Sequence, residues 1–190
     1  MNNTTELRLA GSGGQGIILA TVILAEAAVL AGRHAAQSQS YGPEARGGSC
    51  KAEVLISDSP IGYTKVRRPD LLLALTQDAL NHYAVNLPDT CTVIADSSLA
   101  VPDTVSPDRV LPLPILETAR ERVGKSMTAN IVAVGCVNAL LHLVPEAQLR
   151  EAVLMHVPKG TEKLNETALE AGENLVPDAS KERNTGRTAS

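Results

Sequence analysis

The feature that most constrains this chain is the succession, at its start, of a short apolar run, a glycine cluster and a long apolar helix. Leu7, Leu9 and Ala10 suit a buried strand. Gly11-Ser12-Gly13-Gly14-Gln15-Gly16 follows, and Ile17 to Ala31 is then apolar at nearly every position except Thr21 and Glu26. A helix apolar almost all round must be buried on most sides. Glycine takes positive φ without a side-chain barrier and admits a ligand or a second backbone at close range. Unpaired amides at a helix start add donors and the positive end of a dipole, so the cluster is suited to cradle an anion. Gly11, Gly13 and Gly16 also match the spacing G-x-G-x-x-G of a dinucleotide loop, which calls for an acid about 20 residues further on to hold a ribose hydroxyl. Arg33 to Gly42 contains no acid, and the first one after it is Glu44. That absence argues against NAD, while Arg33 keeps a 2′-phosphate, and hence NADP, in play. The competing explanation is that the glycines serve close packing of helix on strand.

A second unusual stretch is Tyr41-Gly42-Pro43-Glu44-Ala45-Arg46-Gly47-Gly48. Its glycines and proline rule out a regular element. Arg46 offers a bidentate cation for a phosphate or carboxylate, or else a partner for Glu44. The segments on either side, Arg33 to Tyr41 and Ala52 to Ile56, are expected to pair as an antiparallel edge. Leu71 to Leu75 is a continuous apolar run, as in a strand covered on both faces. A helix over Asp78 to Leu87 and a strand over Thr92 to Ala95 complete a βαβ crossover. Four prolines between Val101 and Pro114 exclude a helix there and leave Arg109 to Leu113 as the last strand. Helices are expected from Leu116 with a break near Gly124, over Met127 to Val144, from Pro145 to about Val157, and over Glu162 to Asn174. The expected class is therefore α/β, a Rossmann-like, mostly parallel sheet flanked by helices, with further helices at the C-terminus. A single domain over residues 1–175 is expected, followed by a disordered polar tail over 176–190.

Composition narrows the partners. Aromatics make up 2% of the chain, with three Tyr and neither Phe nor Trp, so a base-stacking surface is missing. Against 17 basic residues stand 21 acidic ones, for a net charge of −4, which is no footprint for a phosphate backbone. Nucleic acid is not an expected partner. Neither is a membrane, because Ile17 to Ala31 falls short of a span of about 18 residues. With no secretory leader pattern at its start, the chain is assigned to the cytoplasm. Cys50, Cys91 and Cys136 are too scattered for a zinc or iron-sulfur site. His34, His82, His142 and His156 are equally dispersed, and Ser12 is not in a nucleophile elbow. Asp96 and Ser97 follow a strand, where an Asp serves as readily as a cap as in a site. No catalytic residue and no metal ligand is assigned.

Three motifs in order carry a resemblance: Gly11 to Gly16, then Ser40 to Gly48, then Ile56-Ser57-Asp58-Ser59-Pro60-Ile61. Asn130 with Gly135, and Asn165-Glu166-Thr167-Ala168 with Gly172, extend it. The chain resembles the gamma subunit of 2-oxoacid:ferredoxin oxidoreductases over about residues 5–175. The resemblance implies a complex that oxidatively decarboxylates a 2-oxoacid with coenzyme A to acyl-CoA, carbon dioxide and reduced ferredoxin. It implies alpha, beta and delta-type partner subunits, ferredoxin as acceptor, and thiamine diphosphate and iron-sulfur clusters held by those partners and not by this chain. Of the substrates in this family, 2-oxoglutarate is favoured over pyruvate or a branched-chain 2-oxoacid. A surface for coenzyme A at a subunit interface is assigned to Gly11, Gly13, Gly14, Gln15, Gly16, Tyr41, Gly42, Arg46, Gly47 and Gly48. The alternative from another class is a stand-alone NAD(P)-binding oxidoreductase.

Overall fold

The computed structural model describes residues 4–41 and 49–180. Gly42, Arg46, Gly47 and Gly48 of the expected site lie outside them. A six-stranded sheet in the order β2-β3-β1-β4-β5-β6 organises the chain. Its strands are β1 (Thr4–Ser12), β2 (His34–Tyr41), β3 (Ser49–Ser57), β4 (Leu71–Ala74), β5 (Thr92–Asp96) and β6 (Val110–Leu113). β1, β4, β5 and β6 run parallel, and β3 is antiparallel to both β1 and β2. The expected mostly parallel α/β sheet with an antiparallel edge is the observed one.

The helices divide between the two faces. Alternate residues Leu7, Leu9, Val54, Leu71, Leu73 and Ile94 pack under α1 (Ile17–Leu30), α4 (Ala129–Leu141), α5 (Glu146–His156) and α6 (Glu162–Glu173). Leu72, Ala74, Val93 and Ala95 face the other way, against Leu80 and Ala84 at α2 (Gln77–Tyr83). Every residue of β4 is fully buried, as its unbroken apolar run requires of a strand with cover on both sides. α1 is buried or half-buried along its length apart from Val29. After β1 the chain turns to one face through α1, and after β4 to the other through α2. The carboxyl ends of these adjacent strands therefore flank a topological switch point, the crevice where α/β sheets bind ligands.

Several bounds differ from expectation: α2 ends at Tyr83 instead of Leu87 and α4 at Leu141 instead of Val144. α4 starts at Ala129 instead of Met127, because Ser126–Thr128 forms a tighter 3-10 turn closed by the Thr128 amide and hydroxyl on Lys125 O. Val176, placed in the tail by its polar surroundings, is 2% exposed and belongs to the main core. The short α3 (Ile115–Glu117) continues into a wider π turn over Thr118–Arg122.

α4 and α6 meet backbone to backbone. A Cβ built on Gly135 would strike Leu169 O and Glu173 N, and one on Gly172 would strike the Val132 carbonyl. The Cys136 thiol donates to Gly172 O at 3.2 Å across the same contact. Asn138 is buried and holds the chain reversal after α4, donating to Val144 O and accepting from Val144 N, both at 3.1 Å.

Candidate functional site

The glycine loop sits at the carboxyl end of β1, where the strand order turns. Gly14 has φ 93° and Gly16 φ 73°. Any other L-residue would be strained at either position. Gly16 is the N-cap of α1, and this helix starts with no capping side chain and no acid in its first turn. Its leading amides lack intrahelical acceptors by geometry and carry the positive end of the dipole. Gly13 and Gly14 are exposed, so this end of the helix is open to a ligand.

Two side chains fix the loop. Gln15 Oε1 accepts from Ser12 N at 2.7 Å, while Gln15 N donates to Ser12 O at 3.2 Å. The same oxygen occupies the space that a Cβ on Gly11 would need. Asn130, at the start of α4, lies against Gly16 from the opposite side. Its Nδ2 donates to Gly16 O at 3.4 Å, and a Cβ on Gly16 would lie 2.6 Å from that nitrogen. The packing explanation for these glycines therefore holds for Gly11 and Gly16. It does not hold for Gly14, where a Cβ would meet nothing within 4 Å.

The register brings the second stretch to the same end of the sheet. Ser12 stands opposite Ser49, Gly11 opposite Cys50, and Cys50 opposite Tyr41. The chain thus leaves the sheet at Tyr41 and re-enters it at Ser49 two strands and one strand away from the glycine loop. What Gly42 to Gly48 do between those points falls outside the described residues.

Other candidates are located elsewhere or otherwise engaged. Arg33 precedes β2 at the opposite end of that strand, and its guanidinium donates to Asp58 at 2.7 Å and to Leu143 O at 3.0 Å. It is in no position to take a 2′-phosphate held on the glycine loop. Asp96 is 2% exposed; it accepts from Ser98 N and Oγ through one oxygen and from Leu116 N at 2.8 Å through the other, the role of a cap. His82 packs edge-on against Tyr83, and His156 lies 4.0 Å from Glu26. Cys50, Cys91 and Cys136 are free and buried. Burial raises the thiol of Cys50, pushes that of Cys91 up to about 11, and raises that of Cys136 further still. None is an activated nucleophile. Among the described residues no cluster of His, Cys, Asp or Glu could hold a metal ion, and no helix is long and apolar enough to cross a membrane.

Sequence reading did not single out Glu6. The residue is 9% exposed, and its carboxylate accepts from Arg67 N at 2.6 Å, Arg68 N at 2.9 Å and the Tyr63 hydroxyl at 3.1 Å. The available signal was an acid next to the apolar residues Leu7, Leu9 and Ala10 of the first strand.

The structure thus sets a glycine loop at the switch point of a mixed α/β sheet. The chain belongs to the pyruvate ferredoxin/flavodoxin oxidoreductase family, which residues 6–175 match. It is 43% identical over 176 residues to the 2-oxoglutarate synthase subunit KorC of Methanocaldococcus jannaschii, covering 91% of this chain and 94% of that one. It is 37% identical over 170 residues to the ketoisovalerate oxidoreductase subunit VorA of Methanothermobacter thermautotrophicus, covering 87% of this chain and 35% of that one. Among solved structures, the gamma subunit of a keto/oxoacid ferredoxin oxidoreductase from Geobacter sulfurreducens superimposes with a TM-score of 0.79 at 42% identity, covering 90% of this chain and 96% of that chain. A 2-oxoglutarate:ferredoxin oxidoreductase from Magnetococcus marinus, solved with 2-oxoglutarate, coenzyme A and succinyl-CoA bound, shares the fold at a TM-score of 0.80 and 22% identity, covering 90% of this chain and 31% of that one.

Proposed function

We propose that this chain is the gamma subunit of a 2-oxoacid:ferredoxin oxidoreductase acting on 2-oxoglutarate. One observation carries the substrate: the likeness to a 2-oxoglutarate synthase subunit runs nearly end to end in both chains. The likeness to a ketoisovalerate enzyme covers only about a third of a longer polypeptide. In the complex a 2-oxoacid loses carbon dioxide, its acyl group passes to the sulfur of coenzyme A, and two electrons pass to ferredoxin.

This chain's part is binding and assembly. The donor set does not fit an iron-sulfur cluster, since its three cysteines are each buried at separate places in the core. Thiamine diphosphate and the clusters are assigned to the alpha, beta and delta-type partners, and ferredoxin accepts electrons from the whole. The amides at the start of α1 and the exposed Gly13 and Gly14 are suited to a phosphate of coenzyme A. Arg46 and the stretch from Tyr41 to Gly48, which the chain enters from β2 and leaves into β3 at the same end of the sheet, are assigned to the same surface. The engagement of Arg33 at the far end of β2 counts against the NAD(P) alternative.

The test is anaerobic copurification of the tagged full-length chain from its own host, followed by assays of coenzyme A-dependent ferredoxin reduction. Turnover with 2-oxoglutarate is expected to exceed that with pyruvate or a branched-chain 2-oxoacid, and the reverse order would overturn the substrate. In the intact complex Arg46→Ala is expected to raise KM for coenzyme A by about tenfold, the effect of about 1.4 kcal/mol of lost charge-assisted contact. An unchanged KM would remove Arg46 from that role, and loss of partner chains would make the stretch a docking surface instead.

A further inference from the structure

The amino end of the sheet carries a second surface, built in a different way. Between β3 and β4 the chain runs through Tyr63-Thr64-Lys65-Val66-Arg67-Arg68-Pro69. Lys65, Arg67 and Arg68 are exposed, while Val66 and Pro69 between and after them are buried. Glu6 clamps the backbone beneath the cations through Arg67 N and Arg68 N. The oxygens of this buried carboxylate are thereby taken up by amides and the Tyr63 hydroxyl. Asp70, at the end of the segment, accepts from Glu6 N at 2.8 Å and donates its own amide to Glu6 O at 2.8 Å. Among the described residues no carboxylate pairs with Lys65, Arg67 or Arg68 within 4.0 Å, and the same holds for the separate Arg122, Lys125, Lys159 and Lys163, whereas Arg8, Arg33, Lys51, Arg109, Arg120 and Arg150 have such partners. Arg67 lies 5.3 Å over the ring of Tyr63, a contact that orients its guanidinium without neutralising it.

We propose that the pinned basic loop Lys65-Arg67-Arg68 docks an acidic protein surface at the end of the sheet opposite the glycine loop. The whole chain carries −4 and these cations +3, so the remainder carries −7. Positive charge gathered on one loop of an otherwise acidic chain gives a partner orientation as well as attraction. A backbone already fixed by Glu6, Val66 and Pro69 lowers the ordering cost of engagement. A nucleic-acid backbone would need about 6–10 phosphate contacts for strong binding, more than this loop supplies. The loop lies about 17 Å from the glycine loop, taking the run from Glu6 to Gly11 along β1 at about 3.3 Å per residue. One chain can therefore engage ligand or subunit at one end and an acidic partner at the other.

The proposal is independent of the coenzyme A assignment and is tested separately, on the complex isolated natively through the tagged full-length chain. A zero-length carbodiimide is the probe, because it joins the Lys65 amine only to a carboxylate in direct contact. Mass spectrometry is expected to find Lys65 linked to an Asp or Glu of a different polypeptide. The yield is expected to fall about tenfold between 0.05 M and 0.5 M salt, as screening requires. Arg67→Glu with Arg68→Glu, which keeps Lys65 and the clamped backbone, is expected to lower it about tenfold at low salt. Arg67→Gln with Arg68→Gln serves if the acidic pair alters the melting curve. Lys65 left unlinked, linked only within its own chain, or linked in a yield that neither salt nor the substitutions change, would each overturn the proposal.

Discussion

The two ends of the sheet solve opposite problems. At the carboxyl end the chain presents backbone: Gly13 and Gly14 are exposed, and α1 begins with its amides uncapped. At the amino end it hides backbone and presents side chains, with Glu6 absorbing the amides of Arg67 and Arg68 while their guanidinium groups stand exposed. The first arrangement favours an anion that must come within hydrogen-bond distance of the main chain. The second favours a charged surface met at the reach of long side chains. The difference teaches that one strand can carry two unlike surfaces, one of exposed main chain and one of exposed charge, at its two ends.

The most disruptive way to break this comparison is Gly16→Val. It combines a strained positive φ with a collision against Asn130, and is expected to cost about 3–5 kcal/mol, read as a lower denaturation midpoint. Asn130→Ala in the same chain should recover part of the loss, because the two positions share one space. Tryptic cleavage after Lys65 should not accelerate under folded conditions; if it does, the ends are coupled and the comparison fails. Next in size is Glu6→Ala, which leaves two amides and a hydroxyl without their acceptor and is expected to cost about 2–4 kcal/mol. Cleavage after Lys65 and Arg67 should then accelerate, with amide exchange in the glycine loop unchanged.

A smaller effect comes from Cys91, just before β5 at the amino end. Burial pushes its folded thiol up to about 11, from an ordinary value of 9.0. Above pH 9 the unfolded chain sheds this proton while the folded chain keeps it. Stability is therefore fully present below pH 9 and falls as pH rises toward 11, by at most about 1.4 kcal/mol per unit. Denaturant midpoints at pH 8 and 10 measure it, and Cys91→Ala should flatten the slope. The smallest expected change is Gln15→Ala, which frees Ser12 N from its acceptor at a cost of about 1 kcal/mol. Faster exchange of the Ser12 amide would sharpen the assignment of Gln15 as the brace of the loop.

The carboxyl end was largely legible in the sequence because its signals are local. A strand, a glycine cluster and an apolar helix lie within one short stretch, and the unbroken Leu71 to Ala74 run announces a doubly covered strand. The hairpin of β2 and β3 was equally readable from the turn-forming residues between them. The amino end was not readable, since Glu6 meets its amides across 61 and 62 residues and nothing near it in sequence names them. Asn130 was noticed as part of a helical motif, but its contact with Gly16 spans 114 residues. Gly172 belongs to another helical motif, but nothing near it in sequence places the Val132 carbonyl against it. Local patterning announces elements, whereas clamps between distant positions appear only once the sheet brings them together.

The contact of α4 with α6 also reaches the glycine loop at the other end of the sequence. Asn130 holds the glycine loop from α4, and α4 is seated through Gly135 against Leu169 O and Glu173 N of α6. The glycine loop is thus supported through a helix far along the sequence from it. A chain shortened before α6 loses the seat of α4, and with it the hold of Asn130 on Gly16.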